Sequence, residues 1–139
     1  MGRVERFSIS MDKNLLEVFD QLIEDKRYSS RSEAIRDLVR KEIVSKEWAS
    51  ADSEVAATIT IIYDHHENEL SAMLPHVQHD FFGSILCTTH VHLDHHNCME
   101  VIILKGKSSD IKELSDRIFA LKGVKHGQIT HTLPGKFFD

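Results

Sequence analysis

Four histidines and a cysteine crowd into residues 89–103, which read THVHLDHHNCMEVII. Neutral imidazole and thiolate are ligands that borderline divalent metals take readily, and their spacing here suits a metal site. On a strand, His90 and His92 project from the same face with their backbones roughly 6.6 Å apart, so both rings can reach one ion. Val91, between them, is expected to point the other way, into the apolar layer. Residues 94–97 read as a turn, so that Cys98 opens the returning strand and brings its sulfur alongside the two rings. Three ligands from one hairpin leave a fourth position for water, a substrate or another histidine. His95 and His96, in the turn, fit exposed or supporting positions better than direct ligation. Cys87 has the opposite parity to His90 and reads as a small buried hydrophobe. No ligand role follows from the spacing of His126 and His131. Chemistry alone leaves the metal open, since Zn²⁺ in a tetrahedron and Ni²⁺ or Cu²⁺ in a plane are all compatible with such donors.

The hairpin needs a frame. Residues 55–63 are rich in Ile, Thr and Val and predict a strand, residues 67–74 permit a short helix, and residues 82–93 and 98–105 are the two arms of the hairpin. Ser108-Ser109-Asp110 starts a helix carrying Ile111, Leu114, Ile118 and Leu121 at helical spacing. Gly123 stops it, and residues 124–133 predict a last strand. The order βαββαβ is the ferredoxin-like arrangement, an antiparallel sheet with helices on one face.

The first third of the chain has a different character. Residues 6–10, RFSIS, alternate polar and apolar side chains as a half-buried strand does. Asp12 can cap a helix whose apolar stripe is Leu15, Leu16, Phe19, Leu22 and Ile23. Ser30 and Glu33 have capping-box spacing at the start of a second helix, buried through Ala34, Ile35, Leu38, Val39 and Ile43. One strand and two helices hold too little apolar surface for an independent core, so a second copy must supply the strand's partner. With Phe7 and Ile9 facing the helices, Arg6, Ser8 and Ser10 would face outward on a two-stranded ribbon. Such a ribbon fits the DNA major groove, where Arg donates twice to guanine. Ser30 and the first-turn N–H groups of the second helix could hold a phosphate. A plain dimerisation module with solvated Arg and Ser is the alternative on pattern alone.

The composition agrees with two joined chemistries. Residues 1–46 carry ten Lys/Arg against nine Asp/Glu, whereas residues 47–139 carry seven against thirteen and hold all ten histidines. The net charge of −5 argues against a protein that simply coats nucleic acid. No apolar run approaches the roughly 20 residues of a membrane helix, the N-terminus lacks a signal core, and the cysteines form no disulfide framework, so a cytoplasmic location is expected. The organisation expected is residues 1–47 for DNA binding and residues 54–139 for metal binding, with the polar residues 47–53 as a linker.

RFSISMDKNLLEVFDQLIEDKRYSSRSEAIRDLVRKEI resembles a ribbon-helix-helix DNA-binding domain, and RSEAIRD, residues 31–37, is especially similar to that of the nickel-responsive regulator family, NikR. HVHLDHHNC followed by MEVIILKG is similar to the metal-binding core of the same family. The resemblance covers essentially the whole chain. It implies an α+β protein, a ribbon-helix-helix followed by a ferredoxin-like, ACT-type domain, that assembles as a homotetramer of two dimers and represses transcription on double-stranded operator DNA. Arg6, Ser8 and Ser10 are then the base-contacting positions. Many relatives have Thr in place of Ser8 and Ser10, so the operator sequence does not carry over. The resemblance further implies one Ni²⁺ per subunit in a planar site of His90, His92, Cys98 and, from a neighbouring chain, the histidine of VQHD, His79. His76 is the nearby competitor for that position. Glu100 would stand beside the ligands, and Glu33 and Asp37 would line a weaker cation site. Glu67 replaces a basic residue that touches DNA nonspecifically in some relatives.

Two other classes compete with regulation. A His/His/Cys site with an open position could activate water for hydrolysis, with Glu67 or Glu100 as base. The second domain could instead buffer metal or bind a small organic effector. Hydrolysis leaves the N-terminal ribbon unexplained and no pocket motif appears, so no enzymatic activity is expected. Roles for His65 and His66 do not follow from the sequence.

Overall fold

A computed structural model describes residues 2–139. The elements are α1 (Lys13–Asp25), α2 (Arg31–Ala49), β1 (Glu54–Asp64), α3 (Asn68–His79), β2 (Ile85–His92), β3 (Asn97–Lys107), α4 (Ser108–Phe119) and β4 (Val124–Thr132). Short 3-10 turns follow α3, at Phe82–Ser84, and β4, at Gly135–Phe138. The chain divides into two compact units, one running through Ile43 and taking in Phe138 and Asp139, the other Val44–Phe137.

In the first unit, Asp12 caps α1 by accepting a hydrogen bond from the Asn14 N–H at 2.9 Å. Ser30 begins α2 in the same way, its hydroxyl accepting from the Glu33 N–H at 3.1 Å. The reciprocal half of the expected capping box is missing, because the Glu33 carboxylate turns to Arg36 and Arg40 instead. A bidentate pair from Arg31 to Asp20, both contacts 2.8 Å, ties α2 to α1. Residues 6–10 form no strand in the single chain. The physical reason is the one the sequence supplies, since a strand needs a hydrogen-bonding neighbour and this unit offers none. Phe7 and Ile9 accordingly stand 75% and 55% exposed instead of covering the helices.

The second unit is a four-stranded sheet in the order β2-β3-β1-β4, every neighbouring pair antiparallel. This is the ferredoxin-like order expected. Along β1, Val55, Ala57, Ile59, Ile61 and Tyr63 are buried, and their neighbours are only half-covered, so one face carries the core. Ile102 and Leu104 of β3, Ile111, Leu114 and Ile118 of α4, and Leu70, Leu74 and Val77 of α3 complete it. Full burial of each such side chain is worth roughly 1.5–3 kcal/mol, which is why this unit closes by itself.

Three boundaries differ from the sequence reading. Helix α3 does not stop at Leu74 but runs through Pro75 to His79, because Val77 is buried beside Leu70 and Leu74 and holds the last turn. The first arm of the hairpin starts at Ile85, after the 3-10 turn. Residues 47–53 are not a free linker, since α2 continues to Ala49 and Trp48 is buried. The Trp48 indole N–H donates to the Thr132 carbonyl at 2.8 Å, and its ring lies 4.1 Å from that of His131. Lys112 donates to the Trp48 carbonyl at 2.8 Å, satisfying an end of α2 that the helix itself leaves open. The Ser108 hydroxyl does the same for the Ser50 carbonyl at 2.5 Å.

Candidate functional site

The register of the hairpin decides which face the ligands use. His90 pairs with Glu100 and His92 with Cys98, while Tyr63 of β1 pairs with Cys98 from the other side. Cys98 and Glu100 thus share the face of Ile102 and Leu104, the helix-covered one, and the two histidines extend that face onto the edge strand β2. The expectation for Val91 and Cys87 was the reverse. Both lie on the helix-free face, Val91 41% exposed and Cys87 exposed, because β2 is an edge strand and nothing in its own chain covers that side.

Asp94 sets the hairpin turn. Its carboxylate accepts from the backbone N–H groups of His96 and Asn97, both at 2.8 Å, and from the Asn97 side chain. These donors, the Asn97 side chain first, hold its pKa down at about 2. The turn so fixed places His92 opposite Cys98, with Sγ 3.2 Å from His92 Nδ1. Cys98 is fully buried, and burial, with the nearby Asp64, Asp94 and Glu100 carboxylates, pushes its thiol up from the ordinary value. Forming a thiolate there therefore calls for a cation.

Around this pair stand two further imidazoles. The His90 ring lies 5.2 Å from that of His92, and the His65 ring lies 4.9 Å from it. His65, His92 and Cys98 each offer a donor atom within 4.8 Å of one another. His65 Nδ1 is buried with no hydrogen-bond partner, a costly state for an imidazole nitrogen unless something fills it. Burial shifts the His65 pKa down, which favours the neutral, ligating form. A buried thiol, two imidazoles and an orphaned ring nitrogen fit a borderline divalent ion. The sequence reading passed over His65. Its signal was one of register, since Tyr63 pairs with Cys98 and His65, two residues on, follows on the same face opposite His96.

Glu100 is half-buried, accepts from Gln78 of α3 at 3.3 Å, and is raised from the ordinary carboxylate value mainly by burial. His79, the last residue of α3, is exposed and joins neither group of donors found among the described residues, and neither does the exposed His76. His66, His95 and His96 are exposed at the same end of the sheet as Cys98.

In the first unit, Arg6, Ser8 and Ser10 are all exposed, on a segment that forms no strand or helix. The Ser30 hydroxyl is engaged in capping but keeps its proton free to donate. Glu33 lies 2.7 Å from Arg36 and 3.4 Å from Arg40, and the Arg36 hydrogen bond holds its carboxyl below the usual range. Asp37 accepts from the Tyr28 hydroxyl and from Lys41 at 2.9 Å, and is lowered by both, the Tyr28 contact first. Both acids thus already have basic neighbours.

Comparison with known proteins bears on the whole chain. Residues 56–132 match the family described as NikR C terminal nickel binding domain, and residues 5–46 match the ribbon-helix-helix protein, copG family. Proteins with nickel-responsive regulator in their names are 52% identical in Nitratidesulfovibrio vulgaris (strain DSM 19637 / Miyazaki F), over 98% of both chains. Another in Desulfotalea psychrophila is 53% identical over 96% of this chain and 97% of its own. A third, from Thermococcus kodakarensis, is 51% identical at the same coverage. The chain belongs to the NikR family. A solved structure of an uncharacterized protein from Thermotoga maritima shares the fold at a TM-score of 0.52, with 16% identity over 56% of this chain and 96% of that one.

Family membership accounts for both halves of the geometry. The hairpin donors fall inside the nickel-binding domain match, and the exposed Arg6-to-Ser10 segment falls inside the ribbon-helix-helix match. The ribbon-helix-helix match and the relatives' names point to a DNA-binding regulator rather than to an enzyme. No helix among the described residues is long and apolar enough to cross a membrane.

Proposed function

We propose that this chain is a nickel-responsive transcriptional repressor, a cytoplasmic homotetramer of two dimers that shuts down nickel uptake when the metal is plentiful. Two ribbon-helix-helix dimers, from residues 1–47, would flank a core of four domains made of residues 54–139. Arg6, Ser8 and Ser10 read operator DNA from the paired ribbon, and Ser30 with the first turn of α2 holds a phosphate. Each subunit binds one Ni²⁺ through His90, His92, Cys98 and the partner subunit's His79, with Glu100 supporting and Glu33 and Asp37 offering a weaker cation site. Nickel is sensed, not used, and its binding to a site shared between chains must favour the protein state that holds DNA.

The observation that carries this reading is the buried Cys98 thiol 3.2 Å from His92, inside a domain match described by nickel binding. The exposure of His79, away from that pair in its own chain, suits a ligand donated across an interface. Mixing tests it. His79→Ala and Cys98→Ala chains each lack a ligand, but co-refolding them creates mixed interfaces in which one of the two sites is whole. Tight nickel binding should return at half of the mixed-interface sites, and its absence despite proven mixing would exclude the shared site. A second reading has its own support, because His65 is grouped with His92 and Cys98 more closely than His90 is. His90→Ala should abolish tight binding under the first reading, and His65→Ala under the second.

A further inference from the structure

Helix α3 ends in successive residues that face different ways. Val77 is buried in the core, Gln78 donates to Glu100 at 3.3 Å, His79 is exposed, and Asp80, just past the helix, meets Arg117 of α4. The stretch has little of its own to hold this order. Pro75 has no N–H to give the preceding turn, so α3 lacks a hydrogen bond close to its end. Asp80 sets a carboxylate at the negative end of the helix dipole, where an acid is unfavourable without a cation beside it.

Arg117 supplies that cation. Its guanidinium donates to the Asp80 carboxylate at 2.9 Å and lies 5.4 Å from the centre of the Phe81 ring, so one side chain holds two neighbouring residues, by charge and by cation–π contact. Phe81 in turn closes the helix, its N–H donating to the Gln78 carbonyl at 3.1 Å. The base of this clamp is firm, because Ile111, Leu114 and Ile118 of α4 are fully buried. The ion pair itself is part-exposed, at 39% for Arg117 and 44% for Asp80, so it adds little to the stability of the fold. What it fixes is the end of α3.

On the reading of His79 as a ligand shared between chains, we infer that Arg117 is a positioning residue for the nickel site of the neighbouring subunit: by clamping Asp80 and Phe81 from α4, it fixes where the adjacent His79 is presented. Arg117 touches no ligand itself. Gln78 reaches Glu100 from the same turn, so the clamped end stands between the chain's own hairpin and the outward-facing imidazole. Without the clamp the His79 ring is still there, but its backbone samples more positions, and nickel must order it on binding.

Chelator competition for Ni²⁺ on co-refolded full-length chains tests it. Mixing His79→Ala with Cys98→Ala chains makes a whole site from His90, His92 and Cys98 of the first and His79 of the second. Arg117→Ala added to the Cys98→Ala chain, the donor of His79, should weaken nickel at the restored site about tenfold, the low end of the roughly 10–100-fold that groups orienting a ligand are worth. Added to the His79→Ala chain, it should leave that affinity unchanged. Asp80→Asn should follow Arg117→Ala chain for chain, and Arg117→Lys, which keeps the charge, should recover part of the loss. The sulfur-to-nickel absorption at saturation should persist throughout, since no ligand of the restored site is removed. Equal weakening from either chain, or none from the donor, overturns the clamp and leaves the shared ligand standing. A mixture that restores no tight site despite proven mixing overturns the shared ligand, and the clamp with it.

Discussion

The two units of this chain bury their apolar residues to very different extents. Through Ile43, Ala34 alone among the described residues is buried, and Leu15, Val18, Leu22, Leu38 and Val39 stand about half exposed. In the second unit, Ile59, Ile102, Leu114 and Ile118 are fully buried. The sheet and its two helices close around their own core, while the helix pair leaves an apolar face half exposed. Folding and function are therefore coupled differently in the two regions. On the function proposed, the DNA-reading surface comes into being with a dimer, whereas the Cys98 hairpin is already shaped in one chain.

Substitutions can break that contrast. The largest effect is expected at the metal. Cys98→Ser should abolish the charge-transfer band and weaken nickel by more than the roughly 10–100-fold typical of losing a supporting group. Cys87→Ser should leave both unchanged, and the absorption spectrum of each nickel-loaded variant decides which sulfur is the ligand. Next comes the core. Ile102→Ala should cost about 2–5 kcal/mol in chemical denaturation of the second unit. Phe7→Ala, at a position exposed in the single chain, should leave that transition in place and weaken DNA binding through the ribbon. A like loss of core stability in both would mean that the units do not differ as described.

Arg6→Ala should cost about 1–3 kcal/mol for each bidentate pairing with a base that it removes, doubled in a symmetric dimer, with nickel binding intact. Equal operator affinity in parent and variant would remove the ribbon from the DNA interface. Two smaller effects depend on pH. Burial raises the Cys98 thiol, so nickel must displace its proton, and affinity measured by competition should fall as pH falls. Asp94 runs the same way in its effect on the fold. Its pKa of about 2 is depressed below the ordinary value of 3.8, so its stabilisation of the hairpin turn is full above about pH 4 and disappears as pH falls through 2. Asp94→Ala should remove that acid dependence from the unfolding curve.

The sequence by itself determined the elements and the chemistry of this protein. Periodicity is local, so the stripe of Ile111, Leu114 and Ile118 and the alternation along residues 55–63 were legible without a fold. That Cys98 returns beside the two strand histidines was legible too, because a short turn joins the arms. The register was not, since a turn of residues 94–97 would set Leu93 opposite Cys98 where the structure sets His92. Tertiary structure decided what depends on neighbours distant in the chain. Cys87 and Val91 are exposed because β2 is an edge strand, and parity along one strand cannot reveal which face a helix will cover. Helix α3 outlasts Pro75 and α2 reaches Ala49 because Val77 and Trp48 find partners in the core, a gain of burial that overrides local propensity. His65 stands by Cys98 for the same reason, since thirty-three residues separate them in sequence and only the pairing of β1 with β3 brings them together.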